Sequence, residues 1–127
     1  SMMRGYPGKP TNLTFDSSGT LLATGGSEAV TVWSFKNSGP EGTAPGELEL
    51  HEKAISCLSF APNGKRLASG SKDGSIAVWF LNDDGNGDVM GSAIMNARVS
   101  NIAWRPDGRA LAASNAIGEV TTWRVNK

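Results

Sequence analysis

One histidine, one cysteine and a small cluster of aspartates are the residues of this sequence whose types could carry chemistry. His51 is the only imidazole, and a lone His is a poor start for a catalytic triad or a metal site. It reads as structural. Cys57 stands between Ile55 and Leu58 with no obvious cation or His placed to activate its thiol, so it reads as a small, partly buried hydrophobe. As the single Cys it cannot form an intrachain disulfide or a zinc framework, and it leans toward a reducing compartment. Asp83, Asp84 and Asp88 lie in NDDGNGD, which superficially resembles a calcium loop but lacks the later bidentate Glu of that motif. The glycine turns, GSEAVTVW among them, lack the GK[ST] ending of a phosphate loop. The expectation is a chain with no catalytic residue, no metal and no cofactor.

The elements that would position any site must come from 127 residues, about one ordinary domain or less. Lys plus Arg number 12 and Asp plus Glu number 12, so nucleic acid and anionic membranes are not expected as the main partner. The apolar stretches are far too short for a membrane span or a signal peptide. The chain is expected to be soluble, intracellular and cytoplasmic. Residues 1–2, ahead of Met3, read as an expression remnant. Glycine is 16 of 127, well above the usual ~7%, and its dispersion along the chain implies many turns.

Aligned against itself, the chain yields FDSSGTLLATGGSEAVTVW from Phe15, FAPNGKRLASGSKDGSIAVW from Phe60 and WRPDGRALAASNAIGEVTTW from Trp104. The turn glycines Gly19, Gly64 and Gly108 are 45 and 44 residues apart, and Trp33, Trp79 and Trp123 close the three units. A period near 45 is the main finding. Within the second unit, alternating Leu58 and Phe60 predict a half-buried strand that turns through Pro62-Asn63-Gly64. Strands over 66–70 and 76–80 follow, joined by a tight turn over 72–75. A fourth strand is expected at 47–50 in the first unit and around 88–94 in the second. Four antiparallel strands per repeat make a propeller blade.

With these residues in register, the units resemble WD-40 repeats, the β-propeller family whose period is about 40–45 residues. The fold expected is all-β, with blades of four antiparallel strands and three blades per chain, approximately 7–50, 51–94 and 95–127. The second unit matches best. His51 sits where the family places the His of its GH dipeptide, although Leu50 replaces the Gly, and Asp73 occupies the turn Asp position. With Ser69 and Trp79, the resemblance implies a relay from the Trp79 indole to Ser69, Ser69 to His51, and His51 to Asp73. The other units depart from it. Tyr6 stands at the His position of the first, with Thr24 for Ser and no turn Asp; Met95, Ala113 and Ile117 fill the three positions in the third. None of the closing Trp residues is followed by Asp.

Family partners commonly contact the face made by the loop before the first strand and the turn between the second and third. Carried over residue by residue, those positions are Lys9 and Thr11; Ala54, Ser56 and Lys72; and Arg98, Ser100 and Ala116. Each unit thereby brings one cation, Lys9, Lys72 or Arg98, to a rim suited to an acidic or phosphorylated peptide. The opposite face holds the Gly-rich connectors KNSGPEGTAPG and LNDDGNGD.

Three blades cannot close a ring. The third unit ends at its third strand, and residues 2–6 precede the first unit where an outer strand would belong. Either a longer chain supplies the missing blades, or copies join so that residues 2–6 of one pair with residues 120–125 of another; a dimer of six blades is preferred, with a trimer as the alternative. The function expected is a non-catalytic WD-repeat scaffold for protein–protein interaction. The alternatives are the propeller portion of a larger enzyme or regulator, and a polyanion or phosphopeptide binder using the basic rim.

Overall fold

The computed structural model describes residues 12–25, 27–35 and 46–125. Lys9 and Thr11 of the expected rim, Tyr6, residues 2–6 and most of the first long connector lie outside the described residues. The rest is all-β, in eleven strands: β1 (Asn12–Phe15), β2 (Leu21–Gly25), β3 (Ala29–Ser34), β4 (Gly46–Glu49), β5 (Ile55–Phe60), β6 (Arg66–Ser71), β7 (Ser75–Leu81), β8 (Gly87–Ile94), β9 (Val99–Trp104), β10 (Ala110–Asn115) and β11 (Val120–Arg124). They form three antiparallel sheets in meander order, β1-β2-β3-β4, β5-β6-β7-β8 and β9-β10-β11, the last with three strands. These are the three blades of the 45-residue sequence period.

The turns follow from the sequence. Each first hairpin reverses at a glycine of positive φ: Gly19 at +76°, Gly64 at +71° and Gly108 at +74°. In the first sheet the buried Asp16 caps this turn, its Oδ1 accepting the Leu21 amide at 3.0 Å. In the third, Asp107 does the same for the Arg109 amide at 2.9 Å and pairs with Arg105. Such Asx contacts fix the turn before any long-range pairing is made.

Two apolar clusters lie at the seams between sheets. One joins Leu21, Ala23, Val30, Val32 and Leu48 of the first blade to Ile55, Phe60, Leu67 and Trp79 of the second. The other joins Ala68 and Ile76 of the second to Val99, Ile102, Leu111 and Ala113 of the third. The middle strands β2 and β6 are small and buried because blades approach closely there. A Cβ on Gly25 would come within 2.9 Å of Ile55, and one on Gly70 within 2.9 Å of Val99, both on the next blade. Side chains also stitch the seams. Asn12 Nδ2 donates to the Ile55 carbonyl at 3.4 Å, Ser56 Oγ to the Val99 carbonyl at 2.6 Å, and Trp104 Nε1 to the Ser59 carbonyl at 2.9 Å.

Candidate functional site

In the second blade a chain of hydrogen bonds runs from the interior to a surface turn. Trp79 Nε1 donates to Ser69 Oγ at 2.9 Å, and Ser69 Oγ lies 2.7 Å from His51 Nε2. His51 Nδ1 meets Ser75 Oγ, which in turn donates to Asp73 Oδ1. The expected direct link from His51 to Asp73 is therefore replaced by one through Ser75, which lies at the start of β7 and fits between ring and carboxylate. Proton counting fixes the direction. Ser75 has one hydroxyl proton, given to Asp73, so His51 Nδ1–H must donate to Ser75; Ser69 then donates to an unprotonated Nε2. The ring is held as the neutral Nδ1–H tautomer. Burial lowers the His51 pKa, and the opposing attraction of Asp73 does not overcome it.

Asp73 anchors the surface end. Burial favours its neutral form, but the Ser75 hydroxyl and amide and the Glu52 amide all donate to it, and its pKa is held well below the usual carboxylate range. Ser71 adds a bond to the Lys53 carbonyl at 3.0 Å. The loop before β5 and the turn between β6 and β7 are thus one rigid unit, and Lys72 sits on it.

The other blades solve the same problem differently. In the first, Trp33 Nε1 donates to Thr24 Oγ1 at 3.4 Å. In the third, Met95 and Ala113 are buried in the apolar cluster instead of forming a polar chain. There Asn115 and Glu119 take over the turn: Asn115 Nδ2 donates to Glu119 at 2.7 Å, Asn115 Oδ1 accepts the Glu119 amide at 2.9 Å, and Asn96 Nδ2 reaches Glu119 from the preceding loop at 3.1 Å. The bonds from Asn115 and Asn96 lower the Glu119 pKa. Repeat spacing missed this brace because Asn115 and Glu119 flank the Asp position, itself occupied by Ile117; an Asx residue ahead of the turn glycine was the available signal.

Around this frame, Ser56, Lys72, Arg98 and Ser100 border one concavity of about 360 Å³, with Ala54 beside them and Ile55 and Val99 beneath. Lys72, Arg98 and Ser100 are exposed, whereas the Ser56 hydroxyl is spent on the seam. Among the described residues no carboxylate lines the hollow, and neither Lys72 nor Arg98 forms an ion pair. Its chemistry is that of two free cations, hydroxyls and a small apolar floor.

The remaining candidates are occupied otherwise. Burial pushes the Cys57 thiol up to about 11, which removes thiolate reactivity near neutral pH. Asp83 pairs with Lys65 at 2.9 Å, and Asp84 accepts the Asn86 amide at 2.9 Å. Among the described residues no three His, Cys, Asp or Glu side chains converge as a metal site would require, and no helix is long and apolar enough to cross a membrane.

Comparison with known proteins gives one family match: the family described as "WD domain, G-beta repeat" matches residues 42–79, a stretch that takes in β4 of the first blade and runs through β5 and β6 into β7 of the second. The chromatin assembly factor 1 subunit FAS2 homolog of Oryza sativa subsp. japonica is 34% identical over 53% of the chain and 14% of its own length. Actin-interacting protein 1 of Caenorhabditis elegans is 29% identical over 78% of the chain and 16% of its own length. The probable cytosolic iron-sulfur protein assembly protein CIAO1 homolog of Schistosoma japonicum is 29% identical over 57% of the chain and 21% of its own length. The chain therefore spans only a small part of each of these relatives.

Proposed function

Because the chain is a segment of WD40 repeats, we propose that it acts as a rigid, non-catalytic platform for protein–protein interaction, binding an acidic or phosphorylated segment of its partner at the rim that bears Ser56, Lys72, Arg98 and Ser100. One observation carries the reading: among the described residues, two cations without ion-pair partners border a hollow with no carboxylate in its lining. Lys72 rides on the turn that Asp73 immobilises, so little entropy is lost when it pairs. Arg98 offers the bidentate geometry that carboxylates and phosphates accept. Lys9 and Thr11, which lie outside the described residues, are assigned to the same rim on repeat spacing alone. Relatives named for chromatin assembly, actin interaction and iron-sulfur protein assembly support a role in assembly rather than in turnover. The same reading includes ring closure, either by further chains, two giving six blades, or by further blades of a longer chain.

Fluorescence anisotropy with a poly-glutamate peptide and a phosphoserine peptide tests the rim. Binding is expected to weaken with salt and to be lost in Arg98→Glu and Lys72→Glu. Absence of binding at low salt, or binding untouched by both reversals, would sink the assignment. Equal affinity for single-stranded DNA, with a steep salt slope, would move the function to the polyanion class.

A further inference from the structure

Asn63-Gly64, Asp73-Gly74, Asp84-Gly85, Asn86-Gly87 and Asp107-Gly108 each set an Asn or Asp directly before a glycine. In any such pair the glycine nitrogen can close a five-membered imide on the side-chain carbonyl carbon, since no Cβ stands in its way. What decides is whether that amide is free to turn toward the side chain. Gly74, Gly85 and Gly108 donate their N–H groups to main-chain carbonyls, of Ser71 at 3.1 Å, Asn82 at 3.1 Å and Arg105 at 2.8 Å. Gly87 pairs with Leu81 in the ladder of β7 and β8, and the Asn86 carbonyl just ahead of it accepts the Asn82 amide at 2.7 Å. A Cβ on Gly87 would lie 2.3 Å from the Phe80 carbonyl oxygen, so this backbone has no room to rotate. Gly64 differs. Among the described residues its amide meets no acceptor, and a Cβ built on it would meet nothing within 4 Å.

The side chain ahead of Gly64 is prepared for attack. Asn63 is exposed, and Arg66 Nη2 donates to its Oδ1 at 3.0 Å. That cation draws electrons from Cγ and lies where negative charge gathers on the oxygen as a nucleophile adds. The bond from Asn63 Nδ2 to the Asp107 carbonyl is a long 3.5 Å, so little holds the leaving nitrogen. We infer that Asn63 is a modification site, at which the chain deamidates spontaneously through its own Gly64 amide while Arg66 polarises the carbonyl under attack. The Gly64 N–H proton passes to hydroxide, the N–Cγ bond forms, the Cγ–Nδ2 bond breaks, and the nitrogen takes a proton from water and leaves as ammonia. Water then opens the imide. Cleavage at the side-chain carbonyl leaves aspartate at 63; cleavage at the main-chain carbonyl leaves isoaspartate, whose extra backbone carbon lengthens the turn closed by the bond from the Ala61 amide to the Arg66 carbonyl. Either product replaces a donor to the third blade by a carboxylate beside Arg66 and lowers the formal net charge of +0 by one unit. The change falls at the end of the second blade away from the hollow of Lys72 and Arg98.

The test incubates the wild-type chain, Arg66→Gln and Asn63→Gln at neutral and mildly alkaline pH, both native and unfolded in urea. Peptide mass spectrometry follows, at each site, the gain of a water less an ammonia. In urea the gain should appear at Asn63 and at Asn86 alike. In the native chain Asn63 should react within a few-fold of its unfolded rate, faster at the higher pH, while Asn86 slows by about tenfold or more, as protection by structure requires. Arg66→Gln should slow the native reaction at Asn63 several-fold and leave its rate in urea unchanged. On anion exchange the native wild type should split with time into two species, whereas Asn63→Gln, whose longer side chain disfavours the five-membered ring, stays as one. A native Asn63 that reacts no faster than native Asn86 would overturn the site, and an equal native rate in Arg66→Gln would overturn the part given to Arg66.

Discussion

Trp79, Ser69, His51 and Ser75 each give one proton to the next, and the chain ends on the Asp73 carboxylate, so charge appears only where backbone amides and solvent can hold it. Such a chain satisfies every buried donor it contains, and it makes the second blade sensitive to pH. Because the folded protein lowers the His51 pKa below its ordinary 6.5, the unfolded chain takes up the proton first, and stability falls as pH drops below about 6.5. Asp73 acts in the same direction at lower pH: its stabilisation is present above the ordinary carboxylate pKa of 3.8 and is lost in more acid solution. The urea midpoint should therefore decrease from pH 7 to pH 5, and a His51→Met, Ser69→Ala double variant, copying Met95 and Ala113 of the third blade, should flatten that dependence. An unchanged slope would show that His51 does not titrate as described. Four of the five residues stand out through the resemblance of the second unit to a WD-40 repeat. Ser75 does not, since one Ser in a turn looks like any other, and only the gap between ring and carboxylate gives it a task.

Strands and turns were the most legible level, because alternation, turn glycines and closing tryptophans repeat in register. β4 and β8 fall within a residue of where the spacing put them. What the sequence hides is how closely each turn approaches its neighbours. Gly64 and Gly74 both have positive φ, +71° and +88°, but a Cβ on Gly64 would meet nothing within 4 Å, whereas one on Gly74 would run into the Met95 carbonyl oxygen. Asn tolerates the left-handed region. Gly64→Asn should then cost about 1 kcal/mol or less, while Gly74→Asn, clashing with backbone that cannot give, should cost about 3 kcal/mol or more. Denaturant unfolding of the two variants checks this, and equal losses would mean that conformation alone, rather than space, decides. The approach of Gly74 to Met95 was unreadable because it depends on how the second blade's turn overlies the loop entering the third.

Across the whole molecule, stability is shared between neighbours as in other repeat arrays. The second blade contributes to both apolar clusters, while the first and third each contribute to one. Hydrogen exchange should be slowest at Leu67, Ala68 and Ser69 of β6 and faster in β2 and β10; uniform exchange would show that the arc unfolds as a single unit. The repeat period foretold the blades but not which of them carries both seams. Trp104, with its ring 5.7 Å beneath the Arg66 guanidinium and its indole N–H on the Ser59 carbonyl, lies across the seam between the second and third blades. With Trp33, Trp79 and Trp123 replaced by Phe, its emission becomes an optical gauge of that seam, shifting when the two blades part and staying constant when either blade loosens without leaving its neighbour.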